Sequence, residues 1–316
     1  MTFMPWPRTT HIFAAALCAG LTLATAPGAQ AEKYASIVID SSNDTVLHAR
    51  YADEARFPAS LTKVMTLYML FEEIDAGRIT LDELFTVSAT AAAKPPSNLA
   101  LKAGDEISAH DAIHALVTKS ANDVACVVAE RIGVTEARFA ALMTVKARML
   151  GMANTRFYNA SGLPDSRQVS TARDMAILAE AVLDNYSHHY DYFSTRSFTW
   201  NGRTYKNHNE LLEDVDGVDG IKTGYTRASG YNLMASAERG DSRVVAVMLG
   251  GRTARSRNTH VTELIEAAYD SLSGPIEPTL RTQIAFERIQ KPIDPNAAAV
   301  PTLNGRPLPL GEGDTQ

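Results

Sequence analysis

The order in which strand and helix patterning alternate along the chain constrains the fold most. Residues 34–40 and 45–51 read as two strands, and Ser41, Ser42, Asn43 and Asp44 between them supply turn chemistry, so a hairpin opens the pattern. A long helical middle follows. Pro58 and Ala59 lead into a helix on which Leu61, Val64, Met65, Tyr68, Phe71 and Ile74 recur at helical spacing, and Gly77 ends it. Ser108 with Asp111 resembles a capping pair. Thr135 precedes a helix ending near Gly151, and Ser170 precedes another running to about Asn185. Between these two, residues 158–164 are a loop by composition. Strand patterning returns in 192–200 and 204–206 around Asn201-Gly202, a strong hairpin signal, and then in 220–225, 231–237 and 243–249. An amphipathic helix over 256–272 closes the sequence of elements. Hairpin, helical block, strand meander and closing helix predict an α+β fold. One antiparallel sheet of about five strands is flanked by helices, with a helical subdomain.

The ends read differently. Residues 1–31 hold Arg8, no acidic residue, an apolar run over 12–26 and a small-x-small ending at Ala29-Gln30-Ala31. This is the pattern of a secretory signal peptide cleaved before Glu32, which predicts an exported protein of the periplasm or cell envelope. The alternative is a membrane anchor, but the run is short and Gly20, Pro27 and Gly28 interrupt it. After Gly274, seven prolines from Pro275 to Pro309 punctuate a segment with few large apolar residues, which reads as a tail or linker. Residues 283–287 are a candidate extra strand there, and no terminal amphipathic helix is evident that would fix the chain to a membrane. The expected organisation is a leader over 1–31, a catalytic domain over 32–273 and a tail over 274–316.

Composition excludes some chemistry. The 316-residue chain carries a net charge of −6, which gives no electrostatic support for binding nucleic acid. Beyond the leader one cysteine remains, Cys126, so no intrachain disulfide forms, and its apolar surroundings mark it as a packed residue. No Cys/His cluster has metal-ligand spacing, so no zinc hydrolase is expected, and no glycine-rich phosphate loop follows a strand. No cofactor is implied.

Three short strings carry the chemistry: Ser60-Leu-Thr-Lys63, Ser120-Ala-Asn122 and Lys222-Thr-Gly224, spaced 60 and then 102 residues apart. Ser60 and Lys63 lie nearly one helical turn apart and share a face. A serine hydroxyl is inert without a base, and Lys63 serves as one only if burial and a second cation, such as Lys222, lower its pKa. Ser120 sits between two apolar helical stretches, where its hydroxyl can pass a proton and the Asn122 amide can hold a substrate backbone. Lys222 and Thr223 offer a charge and a hydroxyl to a carboxylate, and Gly224 permits a close backbone approach. Gly217, Gly220 and Gly224 together suggest a substrate channel. Alone, each string has an ordinary explanation: a helix start with a solvated lysine, a helix cap, a surface strand. Their order and local context point to a serine acyl-transferase acting on a carboxylate-ended peptide.

With Pro58-Ala-Ser-Leu-Thr-Lys63, Pro96-Ser-Asn-Leu99, Asn159-Ala-Ser-Gly-Leu163 and Asp219-Gly-Ile-Lys-Thr-Gly-Tyr-Thr226, the chain from Tyr34 to Asp270 resembles the serine-type D-alanyl-D-alanine carboxypeptidases (peptidase family S11), which are low-molecular-mass penicillin-binding proteins. The resemblance implies a β-lactamase/transpeptidase-like fold and hydrolysis of the terminal D-Ala-D-Ala amide of peptidoglycan stem peptides. It also implies covalent inhibition by β-lactams. Ser60 is then the nucleophile and Lys63 its base. The N–H groups of Ser60 and Tyr225 form an oxyanion hole, Ser120 and Lys222 move the proton, and Asn122 orients the acyl part. Lys222, Thr223 and either Arg255 or Arg257 hold the carboxylate. Many family members carry a second β domain and a terminal membrane helix, and about 40 residues after Gly274 are too few for that domain.

Three other readings compete with this one. A class A β-lactamase needs a deacylating glutamate between the second and third strings. Here that loop holds no carboxylate before Asp165, so rapid penicillin turnover is not expected. A cross-link-cleaving endopeptidase shares every motif. A non-catalytic peptidoglycan or β-lactam sensor conflicts with the intact Ser60, Lys63 and Lys222.

Overall fold

A computed structural model describes residues 33–273 and the backbone of residues 302–303 and 306–307. The expected leader and the 283–287 strand lie outside the described residues. Of the tail, only a two-residue antiparallel pair is described, Thr302–Leu303 with Arg306–Pro307.

The hairpin is β1 (Ala35–Asp40) and β2 (Thr45–Arg50). A single 3-10 turn, Ala59–Leu61, leads into α1 (Thr62–Asp75). The helical block then contains a short strand β3 (Leu84–Thr86), one turn of helix α2 (Ala89–Ala92), and strand β4 (Glu106–Ser108), which pairs with β3. Helix α3 (Ala109–His114) runs into a π-helical turn, Ala115–Lys119. Helices α4 (Asn122–Gly133), α5 (Glu136–Met149) and α6 (Ala172–Asn185) complete the block. A 3-10 segment, Ser187–Ser194, precedes the hairpin β5 (Ser197–Trp200) and β6 (Arg203–Lys206). After the single turn α7 (Leu211–Asp214) come β7 (Val218–Thr226), β8 (Gly230–Arg239), β9 (Ser242–Gly251) and the closing helix α8 (Ala254–Ser273).

Five strands form one antiparallel sheet in the order β2-β1-β9-β8-β7. The first strand therefore pairs with the last, and β7 occupies an edge. Side chains alternate between the faces. Val244, Ala246 and Met248 of β9, with Leu233, Ala235 and Ala237 of β8, pack under Val261, Leu264, Ile265 and Ala268 of α8. Val245, Val247 and Leu249, with Ile37 and Ile39 of β1, face the helical block. Both faces of the middle strands are thus dry, and each fully buried large aliphatic side chain stabilises the fold by about 1.5–3 kcal/mol. Helix α1 runs through the interior with every residue from Thr62 to Phe71 buried. Such all-round burial marks a central element rather than an amphipathic surface helix.

Ser108 caps α3 by accepting from Asp111 N at 3.0 Å, and Thr135 caps α5 by accepting from Arg138 N at 3.2 Å. Ser170 precedes α6 as expected; the cap itself is Thr171, which accepts from Asp174 N at 3.0 Å, while Ser170 makes a backbone bridge to Arg56. One expectation needs correction. The strand expected over 192–200 begins only at Ser197; residues 192–194 instead close a 3-10 segment, Ser187–Ser194, in which Tyr190 and Phe193 bury together. Residues three apart share a face in a 3-10 helix and oppose each other in a strand. Cys126 is fully buried on α4, and burial pushes its thiol up to about 12, which makes it inert.

Candidate active site

Ser60 sits in the 3-10 turn before α1 rather than in the helix's first turn, and both sides of that turn are fixed by packing. Ala59 has φ +50°, a region that non-glycine residues seldom occupy. On one side Gly162 presses against it. A Cβ on Gly162 would lie 1.8 Å from Ala59 O, and the residue's own φ is +85°. On the other side β7 passes so closely that a Cβ on Gly224 would lie 3.0 Å from Ser60 N. The small residue in Lys222-Thr-Gly224 therefore serves first the packing of the strand against the Ser60 turn. Gly220 and Gly217 likewise make room for protein, Tyr190 Oη and the Glu238 carbonyl respectively, which corrects their reading as channel walls. Asn232, the register partner of Gly224 on β8, binds the turn to the sheet. Its Nδ2 donates to Phe57 O at 3.0 Å and Pro58 O at 3.1 Å, and its Oδ1 accepts from Gly250 N at 2.9 Å.

Lys63, the second residue of α1, is fully buried nearly one turn beyond Ser60. Its Nζ lies 3.3 Å from Ser60 Oγ, 2.8 Å from Asn122 Oδ1 and 2.6 Å from Ser161 O. Burial, and then the charge of Lys222, hold its pKa well below the usual lysine range, against the opposing charges of Asp123 and Glu136. The Ser161 carbonyl is aimed by a local turn in which Asn159 Oδ1 accepts from Gly162 N at 2.7 Å and Ser161 N at 3.2 Å.

Ser120 closes the π-helical turn with φ +57°. Its hydroxyl is buried without a hydrogen-bond partner among the described residues. Asn122 opens α4, donating from Nδ2 to Pro95 O at 2.8 Å and from its backbone N to Ser97 O at 2.7 Å. Beside it the buried Asp123 accepts from Leu99 N at 3.0 Å and Leu101 N at 3.2 Å, which holds the 95–101 loop against α4.

Lys222 is buried on β7, where burial and then the charge of Arg257 lower its pKa to about 7. Arg257 is itself buried at the start of α8, pushed down to about 10 by burial, and donates to Asn232 O at 3.0 Å. Arg255 is exposed, so of the two arginines it is Arg257 whose charge reaches Lys222. Thr223 is buried; Tyr225 is exposed, with its ring centroid 4.3 Å from that of Tyr231. A groove of about 210 Å³ opens beside the turn, lined by Phe57, Pro58, Ala59, Leu163 and Thr226 among others. A larger acidic cavity of about 380 Å³, around Glu180, Asp184 and Asp219, contains none of these groups.

Sequence reasoning missed Asn232, Ser161 and Asp123, which act through backbone partners. It also missed His208, on the loop after β6. Although the residue is exposed, partial desolvation, and then the charges of Lys222, Lys119, Lys63 and Arg257, push that imidazole down to about 4. The one available signal was the Asn159-Ala-Ser-Gly string, whose asparagine and glycine build the turn that presents Ser161.

Residues 22–253 match the sequence profile of peptidase S11, described as D-alanyl-D-alanine carboxypeptidase. The chain belongs to this family. It is 36% identical over 236 residues to the D-alanyl-D-alanine carboxypeptidase DacD of Escherichia coli K12, covering 72% of this chain and 61% of the relative. It is 33% identical over 249 residues to DacF of Bacillus subtilis 168, covering 75% and 62%. The chain thus spans about three fifths of the length of these curated relatives. Among solved structures, penicillin-binding protein 6B of Escherichia coli superposes with a TM-score of 0.70 at 36% identity, covering 73% of this chain and 75% of that one. Penicillin-binding protein D2 of Listeria monocytogenes, in its cefotaxime-bound form, superposes at 0.68 with 31% identity, covering 74% and 96%. The five-stranded antiparallel sheet with its helices is the fold of these family structures.

Proposed function

We propose that the protein is a serine D-alanyl-D-alanine carboxypeptidase that removes the terminal D-alanine from peptidoglycan stem pentapeptides through a Ser60 acyl-enzyme. The observation that carries this reading is the buried Lys63 amine, 3.3 Å from Ser60 Oγ and depressed in pKa. A neutral amine has two hydrogens and one lone pair. The hydrogens go to the two shorter contacts, Asn122 Oδ1 and Ser161 O, which leaves the lone pair for the Ser60 hydroxyl. Lys63 then takes the serine proton as Oγ attacks the penultimate carbonyl. The amides of Ser60 and Tyr225 take up the oxyanion charge at the point where β7, with Gly224, meets the turn.

Ser120, buried without a partner among the described residues, and Lys222, with a pKa of about 7, relay the proton to the departing D-alanine amine. Asn122 orients the acyl portion. Lys222, Thr223 and Arg257 hold the terminal carboxylate; the exposure of Arg255 argues for Arg257 in that role. Water then cleaves the acyl-serine ester. A β-lactam, a strained amide beside a carboxylate, acylates Ser60 and leaves slowly. Asp165, the nearest carboxylate in the 159–165 loop, is held by Arg167 at 2.7 Å and is not free to activate a deacylating water.

The reading extends to export: residues 1–31 are a leader removed before Glu32, residues 32–273 are the catalytic domain, and the enzyme works in the periplasm or cell envelope. No helix among the described residues is long and apolar enough to cross a membrane. The deciding experiment measures D-alanine released from a synthetic stem pentapeptide and from a cross-linked dimer, with Ser60→Ala as the control. Release from the pentapeptide that vanishes in Ser60→Ala supports the proposal. Release that persists in the variant removes Ser60 as nucleophile, and cleavage of the dimer alone makes the protein an endopeptidase.

A further inference from the structure

A second cluster of reactive groups lies at the opposite end of α1 from Ser60. Asp75, the last residue of α1, receives two imidazoles from the following 3-10 segment. His188 Nε2 and His189 Nε2 lie 2.9 Å and 2.8 Å from Asp75 Oδ1, and His188 Nε2 is also 2.9 Å from Oδ2. One ligand atom from each of the three residues falls within 4.8 Å of the others. We propose that Asp75, His188 and His189 bind a divalent transition metal ion of the zinc class, a site separate from the peptidase chemistry.

The donor set is two imidazole nitrogens and one carboxylate oxygen. This set suits Zn²⁺, Ni²⁺ or Cu²⁺ rather than Mg²⁺ or Ca²⁺, which take oxygen ligands. Tetrahedral bonds of about 2.0–2.1 Å put ligand atoms about 3.3 Å apart, so the two imidazole–carboxylate separations need to open by only a few tenths of an ångström, and the two nitrogens already lie within 4.8 Å of each other. To bind, each Nε2 gives up its hydrogen, to solvent from an imidazolium or by exchange to Nδ1. Solvent fills the remaining coordination.

Two features prepare the site. The His189 side chain is only 11% exposed and its ring stacks on Phe71 at 4.8 Å and 18°, so its orientation is set before any ion arrives. Asp75 ends a helix whose last turn holds no basic residue. A carboxylate there faces the negative end of the helix dipole, and a bound cation offsets both. Asp75 lies 12 residues beyond Lys63, about 18 Å along the helix axis, so the ion is structural and not a Lewis acid for the peptide. It clamps the end of α1 to the 187–194 segment, which also carries Tyr190 against Gly220 of β7.

The test titrates Zn²⁺ into full-length, tag-free protein and follows thermal unfolding, with Mg²⁺ and Ca²⁺ as controls. Zn²⁺ should raise Tm by about 5 °C, saturate at one equivalent and be reversed by chelator, while the controls do nothing. His188→Ala and Asp75→Asn should each remove most of the shift. The His188 side chain is 56% exposed, so its removal should leave the metal-free Tm within about 2 °C, a readout that does not depend on the peptidase reading. A wild-type Tm indifferent to Zn²⁺, or a shift undiminished in both variants, overturns the proposal. The first outcome would leave the cluster as two imidazoles hydrogen-bonded to a carboxylate.

Discussion

Replacing Lys63 by alanine removes the amine within hydrogen-bond reach of Ser60 Oγ and leaves Asn122 Oδ1 and Ser161 O without their shared donor. We expect a folded protein that labels with fluorescent penicillin at least about a hundredfold more slowly, the usual scale for losing a positioned base. Lys63→Arg should fail equally, since a guanidinium keeps its proton. Normal labelling in either variant would assign the base elsewhere. On the proposed function the two lysines set opposite limbs of the pH profile: acylation would need Lys63 neutral and fall on the acid side, while carboxylate binding would need Lys222 charged, and Lys222 loses its proton as pH rises through about 7. For a carboxylate-ended peptide, kcat/KM should therefore decline above about pH 7, and Lys222→Arg should move that decline to higher pH. The residues of the three strings were legible because each pair sits within one turn or one strand segment. Asn232, Ser161 and Asp123 were not, because each reaches its partner across 22 or more residues and works through main-chain atoms. The choice between Arg255 and Arg257 needed to know which face of α8 is buried, and sequence periodicity alone left that open.

The Ser60 turn is held at element scale by two close approaches, to Gly162 and to Gly224. Gly162→Ala puts a methyl group 1.8 Å from Ala59 O at a position already at φ +85°. The loop must move, and the Ser161 carbonyl moves with it. This variant should lose about 2 kcal/mol or more in denaturant unfolding and about tenfold or more in penicillin labelling. Retention of both would mean the loop relaxes without disturbing Lys63. The hairpin, the last three sheet strands and the closing helix were legible because their apolar residues alternate or recur cleanly. The π-helical turn before Ser120 and the pairing of β3 with β4 were not. Three-residue strands carry too little periodicity to register, and the π turn ends in a left-handed Ser120 that no sequence pattern announces. Residues 192–194 were misread as strand because Tyr192 and Phe193 resemble strand residues, whereas Tyr190 and Phe193, three apart, pack together against Gly220.

For the molecule as a whole, two buried lysines are a cost of function. The folded pKa of Lys222, about 7, lies below the ordinary 10.5, so the folded state releases this proton earlier than the unfolded chain does. The penalty is complete below pH 7 and is relieved as pH rises from 7 toward 10.5. Lys222→Met should consequently raise Tm, most clearly at pH 6 and hardly at all near pH 10.5, while abolishing turnover. A gain independent of pH would trace to packing instead of charge. The mount of Ser60 adds one more property. Helix α1 is enclosed from Thr62 to Phe71, so it has no local opening of its own. The hydroxyl at its head should go silent at the same urea concentration that collapses the near-ultraviolet circular dichroism, so covalent capture by a fluorescent penicillin would count native molecules one by one.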